Sequence, residues 1–320
     1  METVYIKETK RRFGALDAIR GATLLSMIAY HASWDLVYLY GVSMPFYHTW
    51  VGALWQQSIC WSFILLSGFC FSLGKHPLRR GLTVFFAGLL VTAVTCIVLP
   101  KDRIVFGVLT FLGSAMLFML PLSYSLRRLG LAGKPVTDGR TKAACRVRRY
   151  AAAAAVCFLA FMLLKPVSRG FLGFGMLCLV PLPASLYRNY LTAYLGFPPA
   201  DFFSTDYFGV LPWFFLFLTG YFLYYVWQSS QSEAKGSVGK EHIDNKEELN
   251  KGHVNKEYVN KEYVNKKYVN KEYANKEYAD MRYTREPFPV LRFLGRHSLL
   301  LYMLHQPIIY LLCILLFGHG

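Results

Sequence analysis

Arg20, His31 and Asp35 fall inside the first apolar segment of the chain, LDAIRGATLLSMIAYHASWDLVYLY, where a lipid-crossing helix should carry no ionisable group. An arginine or aspartate at such a depth costs roughly 2.5–3.5 kcal/mol on insertion scales, so these side chains mark a functional site by default. On a helix, Arg20 and His31 lie roughly 16 Å apart along the axis, whereas His31 and Asp35 are one turn apart on one face. A histidine titrates near neutrality and is the natural general base for an amine or hydroxyl. A carboxylate one turn away is suited to hold its tautomer. The competing reading is that His31 only hydrogen-bonds another helix and Asp35 sits at headgroup level.

Other polar residues at membrane depth complete the short list: His48, Gln56, Gln57, Ser58, Ser62, Ser67, Asp206, His305 and Gln306. His48 enters the second segment beside Phe46, Tyr47 and Trp50, a setting that an ordinary interfacial histidine also occupies. His305 lies midway along the last segment and is followed by Pro307, which frees a backbone carbonyl one turn earlier. There is no phosphate-binding Gly-rich loop, dinucleotide fingerprint, HExxH or GxSxG.

These residues are carried by a chain built for lipid. Apolar residues make up 54% of 320 and aromatic ones 17%. Stretches near 20 residues match a hydrocarbon core roughly 30 Å thick. Seven are expected: 15–38, 50–73, 81–99, 104–124, 150–165, 207–228 and 291–317. The fold class is therefore all-α, a polytopic integral membrane helix bundle of about seven transmembrane helices. Helices 1–6 occupy residues 1–228, an insertion occupies 229–288, and 289–320 returns the last helix to the core. The basic N-terminus runs straight into a segment too long for a cleavable signal, so the first helix is expected to stay as an anchor.

Fifteen Lys and Arg residues precede the first segment or join the second to the third and the fourth to the fifth; five lie in the alternate loops. The asymmetry predicts a cytoplasmic N-terminus and an outside C-terminus. Net charge is +16, and only +1 of it lies within 231–290, so the excess sits in the membrane-flanking loops. Anionic lipid and topology account for that charge without nucleic acid. Seven cysteines without CxxC spacing suggest neither a disulfide framework nor a metal site.

From Asn250 a pentad repeats, chiefly NKEYV and NKEYA, to Asp280. A five-residue step advances about 140° around a helix, so Tyr and Val form no apolar stripe and no coiled coil. A mobile, expendable insertion is expected, with a docking tether as the alternative. Residues 166–206 are instead rich in Gly, Pro and aromatics, and suit either a re-entrant segment over a cavity or an interfacial loop.

Three blocks, LDAIRGATLLSMIAYHASWDL (Leu16–Leu36), STDYFGVLPWFFLFLTG (Ser204–Gly220) and LRFLGRHSLLLYMLHQP (Leu291–Pro307), occur in that order. Together they resemble the bacterial relatives of heparan-alpha-glucosaminide N-acetyltransferase, within the transmembrane acyltransferase superfamily. The resemblance implies a bacterial plasma-membrane enzyme that moves an acetyl group from acetyl-CoA, without a metal, to an amine or hydroxyl of a sugar or cell-envelope glycan. It implies His31, positioned by Asp35, or else His48, as the base. The Arg20–His31 spacing is similar to a motif of the wider acyltransferase group, whereas the lysosomal enzyme has asparagine in place of His31 and its catalytic histidine aligns near His48. Arg20 would meet donor phosphate, and His305 and Asp206 would line the donor cavity. Gly209 stands where bacterial relatives carry Pro. Expected partners are the bilayer and the acceptor, with a homo-oligomer compatible with this reading. The alternative is a transporter or lipid-handling protein using the same buried His, Asp and Arg groups as a pathway, although no inverted repeat is visible.

Overall fold

The computed structural model describes residues 14–133, 140–249 and 288–318, the side chains of 134–143 and 232–249 excepted. The pentad repeat therefore lies outside the described residues. The architecture is helical: α1 (Gly14–Tyr38), α2 (Trp50–Phe71), α3 (Pro77–Val98), α4 (Val108–Arg128), α5 (Arg140–Leu164), α6 (Tyr190–Leu195), α7 (Val210–Leu249), α8 (Pro289–Arg296) and α9 (Ser298–Phe317). One antiparallel hairpin, β1 (Phe171–Phe174) with β2 (Leu177–Pro181), interrupts them.

Among the described residues six helices are long and apolar enough to cross a membrane: Trp50–Phe71, Pro77–Val98, Val108–Arg128, Ala144–Arg169, Val210–Gln231 and Ser298–Phe317. The chain is thus a polytopic membrane helix bundle. The first expected span, α1, has 25 residues, ample for crossing, and its Asp17, Arg20, His31 and Asp35 keep it off the apolar set. It packs antiparallel to α8: a Cβ on Gly21 would stand 1.9 Å from the Leu291 carbonyl oxygen and one on Gly295 1.9 Å from the Asp17 carbonyl oxygen. It runs parallel to α9, where at the far end the Tyr40 hydroxyl donates to the Gly318 carbonyl at 3.2 Å.

Lipid gives helices little reason to associate, so close approach of small residues has to supply packing energy. The α2–α7 crossing shows this in reciprocal form: a Cβ on Gly68 would lie 2.0 Å from Phe217 O, and one on Gly220 2.1 Å from Leu65 O. The main core gathers there, with Ile64, Phe111, Met119, Phe161, Phe217 and Tyr221 buried between α2, α4, α5 and α7. A smaller core of Leu24, Met27 and Ile59 joins α1 to α2, with Leu294 and Leu301 against it.

Some element boundaries differ from expectation. The fifth span starts earlier, because the basic run Arg140–Arg149 joins its helix. The last is broken into α8 and α9 at His297. α7 continues through the end of its span to Leu249, so the front of the insertion prolongs the helix. Residues 166–206 form the hairpin and α6; Gly170 and Gly175 have φ of +97° and +61°, and the second of these turns the chain between β1 and β2.

Candidate functional site

Two polar clusters lie at different depths along α1. At its N-terminal end Arg20 donates to Asp17 Oδ1 at 3.1 Å and to Cys70 Sγ at 3.2 Å. Arg296, at the end of α8, stands 3.6 Å from the other oxygen of Asp17. Arg80 of α3 acts electrostatically on both Arg20 and Cys70. The Arg80 guanidinium occupies the room left by Gly74, whose Cβ would stand on its Nη1, and that nitrogen is buried without a hydrogen-bond partner among the described residues. Arg20 and Arg296 thus meet one carboxylate and Arg80 reaches the same end of α1 beside Cys70, so three helices bring guanidiniums to one region, an arrangement suited to phosphate oxygens.

Deeper along α1, His31 meets His305 of α9 with ring centroids 4.9 Å apart. One turn on, the Gln306 amide donates to both oxygens of fully buried Asp35, at 2.9 and 3.1 Å. The spacing on α1 therefore places His31 and Asp35 on one face as expected. The hydrogen-bond partner of Asp35 among the described residues is Gln306, not His31. His305 Nδ1 bonds to the Tyr302 carbonyl oxygen; a carbonyl only accepts, so Nδ1 carries a proton, and in the neutral ring Nε2 then carries the lone pair. That Nε2 and Gln306 Oε1 are buried without hydrogen-bond partners among the described residues. Two acceptor atoms from consecutive residues are thus available to a group that brings N–H or O–H.

His48 is exposed and lies apart from this pair. Its ring contacts Tyr38 and Tyr47 at 5.7 and 6.0 Å. Tyr47 stacks on Tyr30, which meets His31 edge-on at 6.0 Å. Burial pushes the Tyr47 phenol up, which keeps it neutral between the two histidines.

Asp206 has a structural task that its sequence position did not disclose. Its Oδ2 accepts from the Val108 N–H at 3.1 Å, capping α4 from another part of the chain. Ser204 accepts from the Val105 N–H at 2.9 Å and donates to the Asp206 carbonyl at 3.1 Å, pinning the segment that enters α4. Removal from water pushes the Asp206 carboxyl up to about 6, against the opposing effect of the Val108 hydrogen bond. The carboxyl also acts electrostatically on Cys60 and Tyr302, so this loop borders the histidine layer.

Three participants escaped the sequence reading. Arg80 counted there only as a topological charge, Tyr302 passed as an apolar-segment aromatic, and Lys165 as a loop cation. Lys165 donates to Gln57 Oε1 at 2.8 Å and lies over the Trp61 ring at 5.0 Å. Tyr302 was detectable as the residue three before His305, the position whose carbonyl a helical histidine can reach.

The fold and this site define a polytopic helical membrane protein with a buried polar layer inside its bundle. The family model described as "Heparan-alpha-glucosaminide N-acetyltransferase, catalytic" matches residues 12–134 and 142–246, and the chain belongs to that family. It is accordingly an acetyltransferase-like membrane enzyme. Arg20, His31, Asp35, His48 and Asp206 fall within the match, while His305 and Gln306 lie beyond it. No curated protein and no solved structure matches the chain.

Proposed function

We propose that the protein transfers an acetyl group from acetyl-CoA to an amine or hydroxyl of a sugar or cell-envelope glycan. The observation that carries the reading is the His31–His305 pair, with its unclaimed Nε2 lone pair, in a chain of this family.

The donor's phosphates fit the Arg20, Arg80 and Arg296 cluster, with the pantetheine arm running along α1 toward the histidines. Acetyl-CoA supplies an activated thioester carbonyl. His31 takes the proton from the acceptor nitrogen or oxygen as that atom bonds to the carbonyl carbon; the carbon–sulfur bond breaks and the proton passes to the departing thiolate. His305 Nε2 holds the acceptor by accepting a hydrogen bond, and Gln306 keeps Asp35 fixed beside them. His48, at the mouth, contacts the incoming acceptor. The cationic loops lie on the cytoplasmic side with the N-terminus, so the donor enters from there, and α1 counts as the seventh span.

The test is transfer of labelled acetyl from acetyl-CoA to glucosamine or native envelope glycans by membranes carrying wild type, His31→Ala, His305→Ala or His48→Ala at matched protein levels. Loss of label with His31→Ala and retention with His48→Ala is the expected pattern. The reverse pattern moves the base to His48, and absence of both transfer and acetyl-CoA binding in wild type favours a transporter.

A further inference from the structure

At the end of the bundle away from the arginine cluster, a cavity of about 220 Å³ opens between the end of α5, the start of the hairpin and the start of α7. Lys165, Arg169, Tyr207, Trp213 and the glycines Gly196 and Gly209 are among the residues that line it. We propose that this cavity receives the anionic group, a phosphate or a carboxylate, of a sugar acceptor; the inference rests on the transferase reading and names its substrate class.

Four observations support it. Two cations face one small space and act on each other electrostatically, an arrangement that an anion between them relieves. Lys165 is held over Trp61 and Phe161, at 5.0 and 6.0 Å, with one hydrogen bond to Gln57; an ammonium has three donors, so capacity remains for a ligand. The floor is made by glycines packed back to back, where a Cβ on Gly209 would come 2.4 Å from Gly196 Cα, and it leads into the N-terminus of α7, whose dipole favours negative charge. Trp213 and Tyr207 supply aromatic faces of the kind sugar rings stack upon.

One helix joins the pocket's cation to the histidine layer: Lys165 donates to Gln57 of α2, and two residues earlier on that helix Trp55 meets Tyr30, the neighbour of His31. In this proposal the anion is held at Lys165 and the reactive end of the acceptor extends along α2 toward the histidines. Beside the mouth, the hairpin exposes Met176, Leu177, Leu179 and Val180, at 87%, 60%, 52% and 51%, an apolar surface at home in lipid. Arg169 ties itself to that hairpin through the Gly175 carbonyl at 3.0 Å. The anion can thus arrive on a soluble sugar or on a lipid carrier.

Purified full-length protein in nanodiscs is titrated with glucosamine, glucosamine 6-phosphate and glucuronate, and separately with a polyprenyl-phosphate-linked glucosamine in the nanodisc. Acetyl-CoA binding serves as the readout of intact fold. At least tenfold tighter binding of an anionic ligand than of glucosamine is expected, abolished in Lys165→Gln, kept in Lys165→Arg, and weakened several-fold in Arg169→Gln, with acetyl-CoA binding unchanged. Tighter binding of the lipid-linked form names a lipid carrier, and of a soluble form a free sugar. Equal binding of neutral and anionic sugars by wild type, or a preference that survives Lys165→Gln, overturns the proposal. Anion preference without acetyl transfer to any ligand refutes the transferase reading and leaves the pocket assignment standing.

Discussion

Asp35, Gln57, Asp206 and His305 each have a definite partner in space, and the partners set expectations for substitution. Removing Gln306 leaves a fully buried carboxylate without the donor that meets both its oxygens. Gln306→Ala should therefore cost about 1–3 kcal/mol, read as a fall in melting temperature in detergent. His31→Ala should lower transfer about 10²–10⁴-fold, the range of a lost general base, with acetyl-CoA binding kept. Asp206 makes a pH statement. Its carboxyl is pushed up from 3.8 to about 6, so the folded chain keeps a proton that the unfolded chain has already released. Its contribution to stability is present at low pH and is lost as pH rises from about 4 through about 6. Melting curves of Asp206→Asn should show a flatter pH dependence across that window than wild type. An unchanged profile would show that another group governs it.

The elements are held by contact between backbones. At the α2–α7 crossing Gly68 and Gly220 each face a carbonyl oxygen of the other helix. Gly68→Ala forces a Cβ onto Phe217 O and should destabilise the bundle by roughly 1–3 kcal/mol, as overpacking does. Gly133→Ala meets nothing within 4 Å and serves as the matched control, expected to melt with wild type. The same economy at Gly21 sets how close α1 comes to α8, and so keeps the start of α1 alongside the helix that leads into His305 and Gln306. The last helix also shows why the break at His297 matters. α9 restarts at Ser298 with its own direction, and His305 faces His31 from that segment.

For the whole molecule, the arrangement is a gradient of chemistry along the bundle axis: arginines at one end, histidines within, Lys165 and Arg169 at the other. A donor and an acceptor entering from opposite ends would meet at the histidine layer. The pentad insertion belongs to none of these regions in sequence. Deletion of residues 250–280 should leave acetyl transfer within about twofold of wild type, measured per unit of folded protein; loss of activity would make the repeat a functional partner site.

The sequence by itself determined the class of the fold, because lipid admits only backbones that satisfy their own hydrogen bonds and so demands long apolar helices. It also singled out His31, Asp35 and His305, because an ionisable group among apolar neighbours is conspicuous against that background. It placed His31 and Asp35 on one helical face, since that relation is local and follows from the helical repeat, but the side chain that holds Asp35 is Gln306 and not His31. The partners came only from the tertiary structure. Gln306 reaches Asp35 across 271 positions, Lys165 reaches Gln57 across 108, and Asp206 caps α4 across 98, and each contact depends on which helices lie side by side. Hydropathy is blind to that adjacency, because every apolar helix face looks alike to lipid; close glycine crossings and long-range hydrogen bonds decide it.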